Sequence, residues 1–224
     1  MRQNVLTMKV IRVSSFEDLH HVIDKQASSR LAIYRGVANV KNHALIPSVG
    51  RNGYDPDVEE DMLAMFKRHA PPFLGEYVPE DNWEWLALAQ HHGLPTRFLD
   101  WTYNPLVATY FAVEQQIEAD SAIYISEAPE IVDTEDEPEP FEIEEVVRYQ
   151  PDHFTPRIPA QSGLFTAHPD PTAIFDEDGL VQIIIPSSAR HEFKRILYIY
   201  GVHRGTLFPD LDGQASFIKW MSGK

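Results

Sequence analysis

The chain has 224 residues, a length typical of one large domain or of two small ones. Its composition, with 43% hydrophobic and 24% charged residues, is that of a globular protein and excludes wholesale disorder or a collagen-like fibre. The formal net charge of −15 argues against non-specific binding to nucleic acid and against attraction to anionic membrane surfaces.

The acidic excess comes largely from one segment. Ten acidic residues and no Lys or Arg lie between Glu127 and Glu145, and the rest of the chain has 24 acidic against 19 basic residues. Pro138 and Pro140 disfavour regular structure there. We therefore predict that residues 127–145 are an acidic surface insertion, ordered at its ends, within a single domain that spans 1–224.

Redox chemistry and membrane insertion are both disfavoured. The sequence has no cysteine, which excludes disulfides, thiolate nucleophiles and cysteine-ligated metal sites. No run of 18 apolar residues occurs, and the first 13 residues carry three basic charges without a long apolar stretch. These features predict a protein without a membrane span, and a reducing, cytoplasmic location is the expectation.

The first half of the chain combines helices with short strands. A capping-box pattern at Ser14 and Glu17 opens the first helix, and the apolar residues 31–34 predict a strand that ends at Arg35. The remaining elements of this half are predicted from caps and breakers: a helix after Asp55-Pro56, a helix over 81–92, a strand over 97–102 and a helix after Asn104-Pro105.

The second half is richer in strands. Apolar runs predict strands at 122–125, 146–147, 163–166 and 180–185, followed by a helix over 189–200 capped by Ser188 and a last helix after Pro209. Helices that dominate early and strands that dominate late, without a repeating strand–helix period, favour an α+β fold. We expect a mixed or antiparallel sheet core with flanking helices.

The densest polar cluster lies between the 81–92 helix and the next strand. His91 and His92 end that helix, and Arg97, Asp100 and Thr102 follow within the strand. Imidazole, guanidinium and carboxylate groups in one place suit anion binding or acid–base chemistry. A structural alternative is open: Arg97 and Asp100 would form an ion pair, and the histidines would cap helix carbonyls.

Two further polar sets could join this cluster. Arg35 follows four apolar residues, and a charge at the end of a buried strand needs either an ionic partner or a ligand. Arg157, Gln161 and Thr166 surround Gly163 and could face the first two sets across a cleft.

Several familiar sites are absent from the sequence. It has no phosphate-binding glycine loop, no dinucleotide fingerprint, no nucleophile elbow and no zinc-protease motif. Adjacent helical residues point about 100° apart, so His91 and His92 would rarely reach one ion, and no metal site is predicted. Asp210 and Asp212 fit turn and helix-cap chemistry.

An ordered series of motifs resembles the FRG domain family, which is named for a (Phe/Tyr)-Arg-Gly motif. The first is Tyr34-Arg35-Gly36, and the others occupy residues 89–97, 99–102, 104–112, 157–166 and 207–213. The resemblance extends over about residues 15–220. It implies a bacterial or phage-associated domain of largely undefined activity, and it suggests a defence or toxin setting.

A more distant resemblance concerns mono-ADP-ribosyltransferases of the Arg-Ser-Glu type. Tyr34-Arg35-Gly36 is similar to their first motif, and the strand that ends at Thr102 and runs into a helix is similar to their second. The resemblance implies an ADP-ribosyltransferase-like fold with NAD as its ligand. Arg35 would hold the NAD pyrophosphate, and Thr102 would support the nicotinamide ribose.

The third motif of these transferases is not matched. Where they have a catalytic Glu, this chain has Gln161, and a neutral amide cannot stabilise a developing cation as a carboxylate does. Asp100 is the acid expected to replace it, because it lies beside Thr102. His92 would act as a base or hold a phosphate.

The leading hypothesis is therefore a domain that binds NAD or another nucleotide and transfers ADP-ribose to a macromolecular acceptor. Its predicted catalytic residues are Arg35, His92, Asp100, Thr102 and Gln161, and its predicted cofactor-binding residues are Tyr34, Arg35, Gly36, His91, His92 and Arg97.

Two alternatives remain open at the level of sequence. In the first, the chain is a non-enzymatic interaction module whose acidic segment contacts a basic partner. In the second, it is a hydrolase or nuclease that uses His91, His92 and Asp100. The negative charge and the lack of metal-ligand spacing disfavour the second.

Overall fold

The computed structural model describes residues 8–27, 29–51, 53–75, 77–127, 129–137 and 139–223. Its strands are β1 (Lys9–Arg12), β2 (Ile33–Val37), β3 (Phe98–Thr102), β4 (Ser121–Ser126), β5 (Val147–Tyr149), β6 (Gly163–Ala167) and β7 (Val181–Ile185). Its helices are α1 (Phe16–Gln26), α2 (Glu59–His69), α3 (Asn82–His91), α4 (Pro105–Val113), α5 (Arg157–Gln161), α6 (Arg190–Ile199), α7 (Arg204–Leu207) and α8 (Leu211–Ser222).

The strands form one seven-stranded sheet in the order β1-β7-β4-β2-β3-β6-β5. β1 and β7 pair in parallel, and the other neighbours pair antiparallel. Helices from both halves of the chain cover the sheet, which confirms the predicted α+β class with a mixed sheet. No helix within the described ranges is both long and apolar enough to cross a membrane.

The sheet is weakly joined at one point, between β2 and β3. β2 makes five register pairs with β4, and β3 makes five with β6. Between β2 and β3 the only register pair is Tyr34 with Thr102. Beyond that pair the two strands separate, so the sheet opens in its middle next to Arg35.

Helix α4 packs directly on β2 because Gly36 has no side chain. A Cβ at Gly36 would lie 1.8 Å from the carbonyl oxygen of Ala108, so only glycine allows the helix to come this close. The helix begins as the sequence predicts: Pro105 occupies its first turn, and the Asn104 side chain accepts from the Leu106 amide at 2.9 Å.

Several local predictions are shifted. The first capping box uses Ser15 and Asp18 instead of Ser14 and Glu17, one residue further along the chain. β2 continues to Val37, so Arg35 lies inside the strand and not at its end.

Two predictions of local structure in the second half also change. Ser188 does not cap α6, which instead continues from a 3-10 turn over Ser187–Ala189. β1, α5 and α7 were not predicted: each has five residues or fewer, too short for a clear hydrophobic period.

The acidic segment packs on the body along its length and not only at its ends. Between 132 and 146 its described residues form neither helix nor strand, as predicted. Its middle is nevertheless fixed: Trp83 Nε1 donates to the Glu137 carbonyl at 2.8 Å, and Ile143 is buried. Ala128 and Pro138 lie outside the described residues, as do residues 1–7 of the N-terminal stretch.

Candidate functional site

A cleft of about 430 Å³ lies where β2 and β3 separate. Its walls come from β2 and the loop after it, the end of α3, β3, one side of α4, and α5. Most of the predicted site residues meet here: Tyr34, Arg35, Gly36, His91, Asp100, Thr102, Arg157 and Gln161. The tertiary structure thus joins the three polar sets of the sequence in one cavity, although Thr166 is buried elsewhere.

Arg35 is the central cation of the cleft, and its side chain is only 15% exposed. Nη1 donates to the carbonyl oxygen of Asp100 at 2.6 Å, which bridges the gap between the separated strands. The Asp100 carboxylate lies 3.6 Å from the same nitrogen. Nε is buried and has no hydrogen-bond partner within the described chain. Burial lowers the pKa of Arg35, and the Asp100 carboxylate opposes that shift.

Asp100 presents its carboxylate to the cleft. The side chain is 63% exposed, and Oδ1 accepts from Nε2 of Gln90 at 3.2 Å. Gln90 is itself held by Thr96, whose hydroxyl donates to the Gln90 amide oxygen at 2.6 Å. Asp100 is therefore an oriented carboxylate that a ligand can reach.

Thr102 has a positioning role. Its hydroxyl donates to the Gln161 carbonyl oxygen at 2.6 Å and accepts from the Asn104 amide at 3.0 Å. The Gln161 amide in turn donates to the Leu207 carbonyl at 3.0 Å. These bonds join β3 to α5 and α7, so both side chains line the cleft while they hold its walls together.

Arg157 is the second predicted arginine in the cleft, and it is already paired. Its Nε donates to Oδ2 of Asp210 at 3.1 Å, and its guanidinium lies over the Phe208 ring at 5.2 Å. The hydrogen bond from Arg157 lowers the pKa of Asp210. Asp210 also caps α8 by accepting from the Gly213 amide, as its sequence context predicts.

The two histidines separate. His91 lines the cleft, and its pKa falls to about 4, first because of burial and then because of the nearby His92 and Arg157 charges. His91 is therefore neutral at physiological pH. His92 ends α3, is exposed, and is not among the residues that line the cleft. The structure does not bring His92 to the position that the predicted catalytic and phosphate-binding roles need.

Arg97 is also outside the cleft, and the expected pair with Asp100 is wrong. Its Nε donates to Glu59 at 3.0 Å, and its backbone amide donates to the same carboxylate at 2.6 Å. Both side chains are buried, and the guanidinium lies over the Phe141 ring at 4.5 Å. Burial raises the pKa of Glu59, and the Arg97 charge opposes that shift. The sequence did not indicate Glu59 as the partner of Arg97, because Glu59 lies 38 residues away, on α2.

Tyr34 and Gly36 contribute mainly to packing. Tyr34 is buried in the core beside α4, and Gly36 provides the close contact with that helix. The Tyr-Arg-Gly motif therefore combines one charged cleft residue, Arg35, with two neighbours that fix the strand and the helix around it.

Sequence reasoning missed three ionisable residues of the cleft: His43, Arg51 and Glu114. His43 and Arg51 lie in an irregular loop after β2, where no periodic pattern singles them out. Glu114 is at the end of α4, where it accepts from the Tyr110 hydroxyl at 2.8 Å and pairs with Arg204. Within the described ranges, no three His, Asp or Glu side chains are placed together to hold a metal ion.

A comparison with known protein families matches the part of the chain that forms one side of the cleft. Residues 30–121 match the family model of the FRG domain, a region that contains β2, β3, α4 and the motifs at 34–36 and 89–112. Arg157 and Gln161 of α5 and Phe208 after α7, which line the other wall, lie outside the match. No curated protein and no solved structure matches the chain significantly.

Proposed function

We propose, from the FRG domain match and the geometry of the cleft, that this chain binds NAD or a related nucleotide. Arg35 would hold the pyrophosphate of the ligand. The observation that carries the proposal is the incomplete bonding of Arg35: its Nε is buried without a partner among the described residues. Desolvating a guanidinium and leaving it under-bonded costs free energy, and an anionic ligand would offset that cost.

The proposal extends to ADP-ribosyl transfer, which the distant resemblance suggests. In that reaction the bond between the nicotinamide nitrogen and ribose C1 breaks, and the bonding electron pair leaves on nicotinamide. The acceptor nucleophile forms the new bond to C1 and gives up a proton. Two steps of this reaction need a carboxylate, and Asp100 would serve in both, because it faces the cleft and is 63% exposed. It would stabilise the cationic sugar and take the proton.

Neutral His91 and the amide of Gln161 would supply hydrogen bonds to the ligand without adding charge. Both line the same cavity as Asp100 and Arg35. Gln161 is fixed by its bond to the Leu207 carbonyl. The cavity thus offers Arg35 for a phosphate, Asp100 for the sugar, and neutral groups in the same wall.

Isothermal titration of NAD into the wild type and into Arg35→Ala tests the binding step. We expect the variant to bind at least about tenfold more weakly, because charge-assisted hydrogen bonds to the phosphates are lost. Arg195→Ala is the matched control: it removes the same charge from an exposed i,i+3 pair on α6, and it should bind NAD like the wild type.

The same mixtures, assayed for free nicotinamide, test the transfer step. Release by the wild type that is lost in Asp100→Asn, with NAD binding kept, would support Asp100 as the carboxylate. Binding without release would restrict the function to nucleotide binding. Equal NAD affinity in wild type and Arg35→Ala, or no binding to either, would contradict the proposal.

A second candidate function, contact with a basic macromolecule, is favoured by one observation. Nine acids of the acidic segment are exposed on its surface: Glu127, Glu130, Asp133, Glu135, Asp136, Glu137, Glu142, Glu144 and Glu145. Such a surface would steer a basic partner in a salt-dependent way. Deleting the segment is a poor test, because Ile143 and the Glu137 carbonyl stabilise the fold; amide replacement of exposed acids keeps these contacts.

A further inference from the structure

The loop that follows β2 is irregular yet firmly attached. We call residues 39–51 the cleft loop. Its buried residues Leu45 and Val49 are bonded through the backbone: the Phe175 amide donates to the Leu45 carbonyl at 2.8 Å, and the Val49 amide donates to the Thr96 carbonyl at 3.2 Å. A Cβ at Gly50 would lie 1.7 Å from the Pro171 carbonyl oxygen, so the loop backbone rests directly on another segment.

This attachment determines where Arg51 lies. Arg51 directly follows Gly50, and its Nε donates to the Ile46 carbonyl at 2.9 Å within the same loop. Its guanidinium lines the cleft although the residue is exposed. A long exposed side chain normally keeps its rotamer freedom, so an anchored one at a cavity wall is preorganised.

Arg51 lies close enough to Arg35 for the two charges to affect each other. Burial is the main reason that the pKa of Arg35 is lowered; Asp100 opposes the shift, and the Arg51 charge adds to it. Burial also lowers the pKa of His43, followed by the Arg51 and Arg35 charges. Three basic groups therefore share one stretch of the cleft wall.

The cleft has few acids to balance these cations. Asp100 lies 3.6 Å from Arg35 and is one of two carboxylates among the lining residues. The other, Glu114, is paired with Arg204 and bonded by Tyr110. In the described structure Arg51 forms no ion pair. Two like charges that share a single nearby carboxylate, Asp100, keep an excess of positive charge that favours the binding of anions.

We infer that Arg35 and Arg51 form a two-arginine clamp that selects ligands with two linked anionic groups over ligands with one. Arg35 takes the inner group, and Arg51, held by the cleft loop, takes the outer group. The selected ligand class is the nucleoside diphosphate. The inference rests on the proposed nucleotide-binding function and adds to it a specificity residue, Arg51, that neither the motifs nor the family resemblance singles out.

Titration of ADP and of AMP into the wild type and Arg51→Ala tests the clamp. We expect the wild type to bind ADP at least about tenfold more tightly than AMP, as one additional charge-assisted contact would give. In Arg51→Ala that preference should fall to within about threefold, because the outer phosphate has lost its cation while AMP affinity changes little.

Two further variants make the result decisive. Arg51→Lys keeps the charge but loses the anchor to Ile46, and it should retain part of the preference. Arg195→Ala removes an exposed arginine far from the cleft and should keep the whole preference. Thermal melts of each variant check folding; Arg51 is exposed, so its replacement should be tolerated. An equal preference in Arg51→Ala and the wild type would overturn the clamp, as would measurable but equal affinities of the wild type for ADP and AMP.

Inorganic pyrophosphate and orthophosphate separate the clamp from the proposed function. If pyrophosphate is preferred and the preference needs Arg51, but neither NAD nor ADP binds, the clamp is supported and the nucleotide proposal fails. If NAD binds through Arg35 and the pyrophosphate preference is absent, the nucleotide proposal stands and the clamp is wrong. Binding of none of these probes would overturn both.

Discussion

Arg35 and Arg190 are both largely buried, but they differ in how fully their guanidinium groups are bonded. Arg190 donates to four backbone carbonyls, those of Ala38, Ala112, Gln115 and Ala119. Arg35 donates to one carbonyl, and its Nε has no partner among the described residues. A guanidinium that donates to several backbone carbonyls stabilises the fold. A guanidinium with few hydrogen bonds at a cavity wall can still bind an anion.

The largest expected change in the free energy of unfolding follows from replacing Arg190. Arg190→Ala should reduce the free energy of unfolding by about 3–5 kcal/mol, because buried carbonyls that join β2, α4 and α6 lose their donor. Chemical denaturation followed by circular dichroism measures the loss. A change below about 1 kcal/mol would mean that Arg190 contributes no more to stability than a surface arginine.

A smaller effect is expected at the cleft. Arg35→Ala should change the free energy of unfolding by about 1 kcal/mol or less: the lost bond to the Asp100 carbonyl is offset by relief from burying a charge. The same denaturation experiment gives the value, with Arg195→Ala as the exposed reference. A loss as large as that of Arg190→Ala would mean that Arg35 is a structural residue.

The smallest effect of replacing Arg35 is expected at His168, a buried neighbour of the site whose Nε2 lies 2.9 Å from the Thr166 hydroxyl. Its pKa is lowered to about 4 by burial, then by the Arg35 and Arg97 charges. Arg35→Ala should therefore raise the pKa of His168 by a fraction of a unit, whereas Arg195→Ala should leave it unchanged. Histidine resonances followed by NMR from pH 3 to 8 would show a shift or its absence.

His168 also predicts a pH dependence of stability. Its ordinary pKa is about 6.5, so the unfolded chain binds this proton more readily than the folded chain between about pH 6.5 and 4. Stability should fall by about 3 kcal/mol as the pH drops through that window, and the loss should level off below about pH 4. In His168→Gln this component should vanish. An identical pH profile in the variant would contradict the assigned protonation state.

The elements that the sequence predicted best are those with strong local signals. Asn104 and Asp210 cap the helices that they were expected to open, and α3 begins one residue after the predicted start at 81. The strands over 98–102, 121–126 and 181–185 follow from short apolar runs. Each signal depends on residues that are neighbours along the chain, so it needs no knowledge of distant contacts.

The candidate site could be predicted only in part, because residue types are visible in a sequence and partners are not. Arg35, Asp100 and Gln161 were singled out by type and context, and the structure brings them to one cleft. Arg97 looked equally suitable, but it is committed to Glu59 on α2. Arg51 carried no signal at all, since an irregular loop has no period from which its orientation follows.

By itself the sequence determined the α+β class, the helix caps, the acidic segment and the inventory of charged groups. These depend on composition, on residues adjacent in the chain and on hydrophobic periods. The tertiary structure alone decided that the sheet opens beyond the Tyr34–Thr102 pair, and that Arg35 and Arg51 face the same space while Arg97 does not. Strand register and loop attachment arise from contacts between residues far apart in the chain, and no local pattern encodes which of these distant groups will meet.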